Sequence, residues 1–243
     1  MTERRFEDTA ILVTGAASGI GREIAAALTD RGANVLASDR TDTDLRVPEQ
    51  IDALATTAFD RFGKLDGLVN CAGIYPVTPF LDMTAEEWDA VLETNLRGPF
   101  LMTQAVARRM VEADAGGSIV NISSTASTLA RPGVAHYGAS KAGLNQLTRV
   151  LAVELAPHDI RVNAVLPGVI GTERVLDAMA DPAVRQENDA KLARIPLGRL
   201  GEPRELIPLT LFLLSDDSSY CTGGLYTVDG GFTLGMASYG QDR

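Results

Sequence analysis

Cysteine and histidine are almost missing from this chain, with two of each in 243 residues. Cys71 and Cys221 form no CxxC pair and no cysteine–histidine cluster, which argues against a structural zinc site and against a disulfide framework. No metal is expected, and a reduced, cytoplasmic setting suits two isolated thiols. Long apolar runs are missing too. The longest, residues 207–214, is interrupted by Pro208 and falls far short of the ~18 residues that cross a bilayer. The mixed charges of residues 1–10 do not resemble an export signal, so a soluble, unexported protein with no membrane partner is expected. Positive charge is in deficit: 22 Lys and Arg against 32 Asp and Glu leave a net charge of −10. A polyanion would be repelled, and nucleic acid is not an expected partner.

What is present is the composition of an ordinary folded chain, 45% apolar and 22% charged, long enough for one substantial domain over residues 1–243. No repeat, linker or low-complexity tract divides it. Short β-rich runs at 10–14, 34–38, 67–70, 118–122, 161–166 and 225–228 alternate with helical patterns at 19–31, 48–62, 85–111, 134–156 and 203–214. That alternation predicts an α/β fold, a doubly wound parallel sheet with helices on both faces. Thr84, with Glu87 three residues on, predicts a capping box opening the third helix. In the 134–156 helix, apolar residues such as Leu144, Leu147, Val150, Leu151 and Val153 occupy more than one stripe. Such a helix is buried on more than one side, which predicts association with a second copy, as dimer or tetramer; cover by the chain's own loops would serve as well.

Between the first strand and first helix lies Thr14-Gly15-Ala16-Ala17-Ser18-Gly19-Ile20-Gly21. Glycines here allow a tight turn and close approach of a pyrophosphate, and the helix N-terminus offers free N–H groups to the anion. The same three glycines would also serve a plain turn. Asp39 closes the second strand 18 residues beyond Gly21, where an acidic residue can bind the adenosine ribose. Its carboxylate would repel a 2′-phosphate, which favours NAD over NADP, although Arg40 beside it could offset that repulsion. Alternatively, Asp39 only solvates the strand end.

Tyr137-Gly138-Ala139-Ser140-Lys141 places a phenol and an ammonium four residues apart, on one face of a helix. A free tyrosine, with a pKa of ~10, is a poor base near neutrality, and a close cation favours the phenolate. Tyr-xxx-Lys alone would be an ordinary surface pair. Here it occurs with Thr14–Gly21, Asn70-Cys71-Ala72-Gly73, Asn95-Leu96-Arg97-Gly98, Ser124 13 residues before Tyr137, Pro167-Gly168-Val169-Ile170-Gly171-Thr172, Gly223-Gly224 and Val228-Asp229-Gly230-Gly231. In this set and order the chain resembles the short-chain dehydrogenase/reductase superfamily, in its single-domain Rossmann branch, over almost its whole length.

The resemblance implies a nicotinamide-linked oxidoreductase acting on a small-molecule alcohol or ketone. Tyr137 would be the acid/base, Ser124 would hold the substrate oxygen, and Lys141 would lower the tyrosine pKa and bind the nicotinamide ribose. Asn95 would anchor a water linking Lys141 to solvent. Around NAD it implies Gly15, Ser18, Gly19, Ile20 and Gly21 at the pyrophosphate, Asp39 and Arg40 at the ribose, and Asp44 and Leu45 at the adenine. Asn70, Ala72 and Gly73 would lie near the ribose, with Tyr137 and Lys141 also touching the cofactor, and Pro167, Gly168, Ile170 and Thr172 near the carboxamide. Two departures stand out. Cys71 replaces the second Asn of the NNAG element, a position expected to steady the central sheet, and a buried inert thiol is expected there. The helix that follows the second strand in most members is missing, leaving Asp44-Leu45 as a strand without its crossover and the adenine side more open.

Residues 74–80, 125–136 and 171–196 would surround the nicotinamide, the last as a lid with helical patches at 173–180 and 183–193. Tyr75, Leu129, Val169, Val175, Leu176 and Met179 would make an apolar pocket, suited to a cyclic or hydrophobic alcohol. Arg131, or less specifically Arg174, could pair with a substrate carboxylate, as in the dihydrodiol dehydrogenases that form dihydroxybenzoate, which the chain resembles in fewer features. That gives a narrower alternative, an aromatising dehydrogenase acting on a carboxylated ring. A further alternative is a nucleotide-sensing relative without turnover, against which stand the intact Asn95, Ser124, Tyr137 and Lys141. His136 would line the pocket or pack at a helix start, and His158 reads as a turn residue.

Overall fold

Each β-rich run becomes a strand: β1 (Ala10–Thr14), β2 (Asn34–Ser38), β3 (Gly67–Asn70), β4 (Gly117–Ile122), β5 (Ile160–Pro167) and β6 (Leu225–Val228). All pair in parallel, in the order β2-β1-β3-β4-β5-β6, in a computed structural model that describes residues 6–180, 189, 190 and 192–234. The helices between them are α1 (Gly19–Thr29), α2 (Pro48–Phe62), α3 (Ala85–Leu92), α4 (Gly98–Glu112), α5 (Ala135–Leu155), α6 (Glu173–Ala180) and α7 (Ile207–Leu214). Successive strand residues face opposite ways, so two cores form. Leu12, Leu68, Ile119 and Val162 pack with α2, α4 and α5; Val13, Val69, Val120 and Val165 pack with α1 and α7. This is the doubly wound, single-domain α/β fold the alternation implies. The strand order reverses between β1 and β3, and the crevice at the carboxyl ends of the strands there is where such sheets bind ligands.

Two elements differ from expectation. The 85–111 pattern is not one helix: α3 passes through a π turn, Glu93–Arg97, before α4 begins. Pro99 has no N–H to give to the carbonyl of Asn95 four residues back, so the α ladder cannot continue through this point, and Gly98 N–H bonds Glu93 O instead. The second difference lies at 39–47, where Asp44 and Leu45 form no strand. Nine residues are too few for the crossover a parallel strand requires. The segment turns instead, with Asp42 and Thr43 N–H groups both donating to Asp39 O. The helix after β2 is absent as expected, and β2 becomes the sheet edge.

Thr84 caps α3 by accepting from Glu87 N–H at 3.2 Å, but Glu87 does not reach back to complete the box; its carboxylate binds His136. Gly63 ends α2 in the left-handed conformation. The α6 helix matches the first lid patch; most of the second, 183–193, lies outside the described residues. No helix among the described residues is long and apolar enough to cross a membrane.

Candidate active site

The turn after β1 is held by Thr14, whose hydroxyl accepts from the N–H groups of Cys71 and Ala72 at 3.2 and 3.3 Å. This pins the end of β3 against the turn. The approach is so close that a Cβ on Gly15 would sit 2.6 Å from Ala72 Cα, and one on Gly21 would sit 2.2 Å from Gly15 O. Only glycine fits either place. The first bond of α1 runs from Arg22 N–H to Ser18 O, which leaves the N–H groups of Gly19, Ile20 and Gly21 at an uncapped helix start. An anion fits this cradle. Thr172 lies against it from the other side: a Cβ on Gly19 would come within 3.2 Å of Thr172 Cγ2.

Asp39 stands beside the turn, accepting from Ala17 N–H at 2.9 Å and from Arg40 N–H. These bonds aim its carboxylate while leaving it partly exposed, and Arg40 is exposed next to it. Asp44, by contrast, is already forked to Arg46, which holds its carboxyl down at about 2. Leu45 is buried beneath α4, where a Cβ on Gly98 would meet it at 2.9 Å. Asn70 also turns inward. Its amide donates to Thr103 Oγ1 and Asn121 Oδ1 at 3.0 and 2.9 Å, so steadying the central sheet falls to Asn70 rather than to position 71. At position 71 burial pushes the thiol up to about 12, the inert state expected, although part of the residue still touches solvent.

Tyr137, on the first turn of α5, is hydrogen-bonded through its side chain to Ser124 at the end of β4. Lys141 Nζ lies 5.8 Å from the phenol ring centre and donates to Ile122 O at 2.8 Å. Burial pulls this ammonium down to about 8. The expectation that Lys141 lowers the tyrosine pKa is not met: Tyr137 is raised, with burial the largest cause, and the opposing effects come from the Ser124 bond and the charge of Arg131. A desolvated ammonium already bound to a carbonyl does not overcome the burial of the phenol.

Asn95 is fully buried in the π turn. It accepts from Ile74 N–H and donates to Ile74 O, each at 2.8 Å, and reaches Ser140 Oγ at 3.3 Å. Its side chain is thereby spent on the loop that follows β3. Gly73 is wedged beside it: a Cβ there would approach Asn95 Oδ1 to 3.2 Å and Lys141 Nζ to 3.7 Å. Asn95, Gly73, Lys141, Tyr137 and Ser124 therefore form one cluster over the ends of β3 and β4. The proline that creates the π turn was legible in the sequence as Gly98-Pro99 inside a helical run.

On the open side of Tyr137, the Tyr75 ring packs at 5.9 Å and a tilt of 55°, and the Arg174 guanidinium lies 4.1 Å over Tyr75. Arg131 and Leu176 are exposed, Leu129 is half-buried, and Val169 accepts from Gly201 N–H through its carbonyl. Pro167 closes β5 opposite Val228, Gly168 N–H donates to Val228 O, and Ile170 is buried and bridged to Gly201. Val175 and Met179 lie on α6. Among the described residues no group of three His, Cys, Asp or Glu could hold a metal ion.

A parallel sheet with a glycine-built anion cradle at its switch point, and a Ser–Tyr–Lys cluster over the adjacent strand ends, defines a dehydrogenase or reductase of the Rossmann class. The chain belongs to the short-chain dehydrogenase/reductase family. The profile described as "short chain dehydrogenase" matches residues 9–47, and that described as "Enoyl-(Acyl carrier protein) reductase" matches residues 41–233. Similar proteins include a 3-oxoacyl-[acyl-carrier-protein] reductase of Thermotoga maritima, 39% identical across 95% of this chain and all of that protein. An L-xylulose reductase of Bos taurus is 42% identical across 91% of this chain and 95% of its own. An NAD-dependent glycerol dehydrogenase of Listeria innocua is 39% identical across 93% and 94%. Among solved structures, a short-chain type dehydrogenase/reductase from Mycobacterium marinum superposes with a TM-score of 0.89 at 35% identity, covering 97% of this chain and all of that one. The protein is an oxidoreductase of CH–OH groups or the matching carbonyls.

Proposed function

We propose that this enzyme is an NAD-dependent oxidoreductase of a secondary alcohol or its ketone, with Tyr137 as acid/base. The observation that carries the reading is the Ser124–Tyr137 hydrogen bond with Lys141 Nζ 5.8 Å from the same ring, beside the anion cradle of α1. A dinucleotide fits the residues: Gly15, Ser18, Gly19, Ile20 and Gly21 would hold its pyrophosphate, and Asp39 its adenosine ribose. Ala72, Gly73 and Lys141 would face the nicotinamide ribose, with Pro167, Gly168, Ile170 and Thr172 at the carboxamide. When bound, such a cofactor supplies the hydride acceptor or donor. The partly exposed Asp39 carboxylate supports NAD over NADP.

In oxidation, Tyr137 as phenolate takes the substrate O–H proton; in reduction, Tyr137 as phenol gives that proton to the carbonyl oxygen. Ser124 holds the same oxygen by a hydrogen bond, which fixes the distance over which the proton moves. Lys141, with its ammonium eased by burial, accepts or returns protons at the inner side of the phenol. Asn95 would serve a water through its backbone carbonyl, which Pro99 leaves without a helical partner, because its side chain is already committed to Ile74.

A second reading, a substrate that carries a ring carboxylate, draws on the charge of Arg131 acting on Tyr137 and on Arg174 over Tyr75. The enzyme would work as a dimer or tetramer of this chain. Phe100, Val150 and Val153 are exposed on α4 and α5, and Leu96 and Leu147 line a groove beside them. Two unpaired thiols suit a cytoplasmic setting. The test is NADH absorbance against cyclohexanol, glycerol, L-xylulose, acetoacetyl-CoA and cyclic alcohols with and without a carboxylate. Turnover of a cyclic alcohol supports the reading, and a fall in KM for the carboxylated forms that is lost in Arg131→Ala supports the second. No turnover of any member with either NAD or NADP would reject both.

A further inference from the structure

The helix that carries Tyr137 begins without a conventional cap. Its N-cap residue is Val134, whose side chain has no acceptor, and no side-chain cap bond forms there. The first intrahelical bond is Gly138 N–H to Val134 O, so the N–H of Tyr137 would be left unpaired. His136, 0% exposed, fills that need: Tyr137 N–H donates to His136 Nδ1 at 2.8 Å. The other ring nitrogen, Nε2, meets Glu87 Oε1 at 2.8 Å. Because an N–H can only donate, Nδ1 must be bare, and the ring proton must sit on Nε2 and point at the carboxylate. Glu87 belongs to α3, and it is also bonded by the Thr78 side chain from the loop that follows β3. Thr78 in turn gives its N–H to Gly133 O at 2.9 Å, just ahead of α5.

We propose that His136 is a positioning residue for the reaction: its Nδ1 serves as the missing cap of α5 and fixes the backbone of Tyr137, while Glu87 selects the tautomer that makes this possible. The imidazole thus locks α3, the substrate-side loop and the catalytic turn into one arrangement. A phenol shifted by an ångström from its partner oxygen loses proton-transfer rate steeply. This inference rests on the reading of Tyr137 as the acid/base, but the capping bond itself can be tested apart from it.

The two ring nitrogens can be separated by substitution. Asparagine in place of His136 offers an oxygen near the Nδ1 position and keeps the acceptor for Tyr137 N–H; glutamine offers a donor near Nε2 and keeps only the bond to Glu87. With NAD and the alcohol of the panel turned over fastest, His136→Asn is expected to keep kcat within about threefold and His136→Gln to lose about tenfold or more, both with KM little changed. In the NAD-bound enzyme, amide hydrogen exchange at Tyr137 should stay slow in His136→Asn and become fast in His136→Gln. Nitrogen-15 spectra of the unaltered enzyme should show Nδ1 bare and Nε2 protonated. Equal kcat in the two variants, or the better rate in His136→Gln, overturns the proposal, as does a protonated Nδ1. If no panel member is turned over, the reading of the site fails while the exchange rates and the tautomer still decide the cap.

Discussion

Replacing Lys141 by methionine is expected to make the protein more stable while abolishing turnover. The ammonium is 4% exposed and is brought from 10.5 to about 8, chiefly by burial. A depression of that size corresponds to about 3 kcal/mol against the charged form in the folded state. Methionine removes that cost but leaves Ile122 O without its 2.8 Å donor, a loss of about 1 kcal/mol. The net gain is about 2 kcal/mol near pH 7, or about 4–8 °C in Tm for a chain of this length. The gain has a definite pH window. Below the folded value of about 8 both states hold the proton, and the cost is present in full. Between there and 10.5 the unfolded chain binds more protons than the folded one, so the stability of the unaltered enzyme climbs with pH. Above 10.5 the cost is gone. Urea unfolding at pH about 7 and about 10, with both proteins at one concentration so that association does not confound the comparison, reads this directly. A variant that is less stable near neutrality, or an advantage that does not shrink with pH, would refute the reasoning.

Asp39→Ser should move the ratio of kcat/KM for NAD over NADP toward NADP, since the carboxylate proposed to meet the adenosine ribose is removed; an unchanged ratio would reject the ribose assignment. Asn95→Ala leaves the N–H and C=O of Ile74 without their partner, and should cost about 2–4 kcal/mol in urea unfolding together with most of kcat. A Tm within about 2 °C of the parent would mean water satisfies Ile74 equally well.

The sheet is readable because each strand is a short apolar run bounded by turn residues, with β1, β3, β4 and β5 buried through most of their length. The glycine turn after β1 is readable because backbone contact at Gly15 and Gly21 excludes every side chain, a demand that acts on sequence directly. The strand expected at Asp44 and Leu45 rests on motif position and does not form, because nine residues cannot make a crossover. The inward turn of Asn70 is not legible in the sequence because side-chain direction at a strand end depends on register, here Asn70 against Asn121. The charge of Lys141 is legible in the sequence, and the burial that weakens it is not. The role of His136 is not legible in the sequence because its bonds go to Glu87, 49 residues away, and to a backbone N–H that only the helix start exposes.

The most direct test of the account is Tyr137→Phe, measured two ways on one preparation. NAD affinity by calorimetry should stay within about threefold, because most of the proposed cofactor contacts lie at the glycine turn, Asp39 and Lys141, and kcat on the best alcohol should fall by about 10³ or more, the contribution of a lost acid/base group. A variant that binds NAD and keeps more than about a tenth of kcat would show that the proton moves by another route.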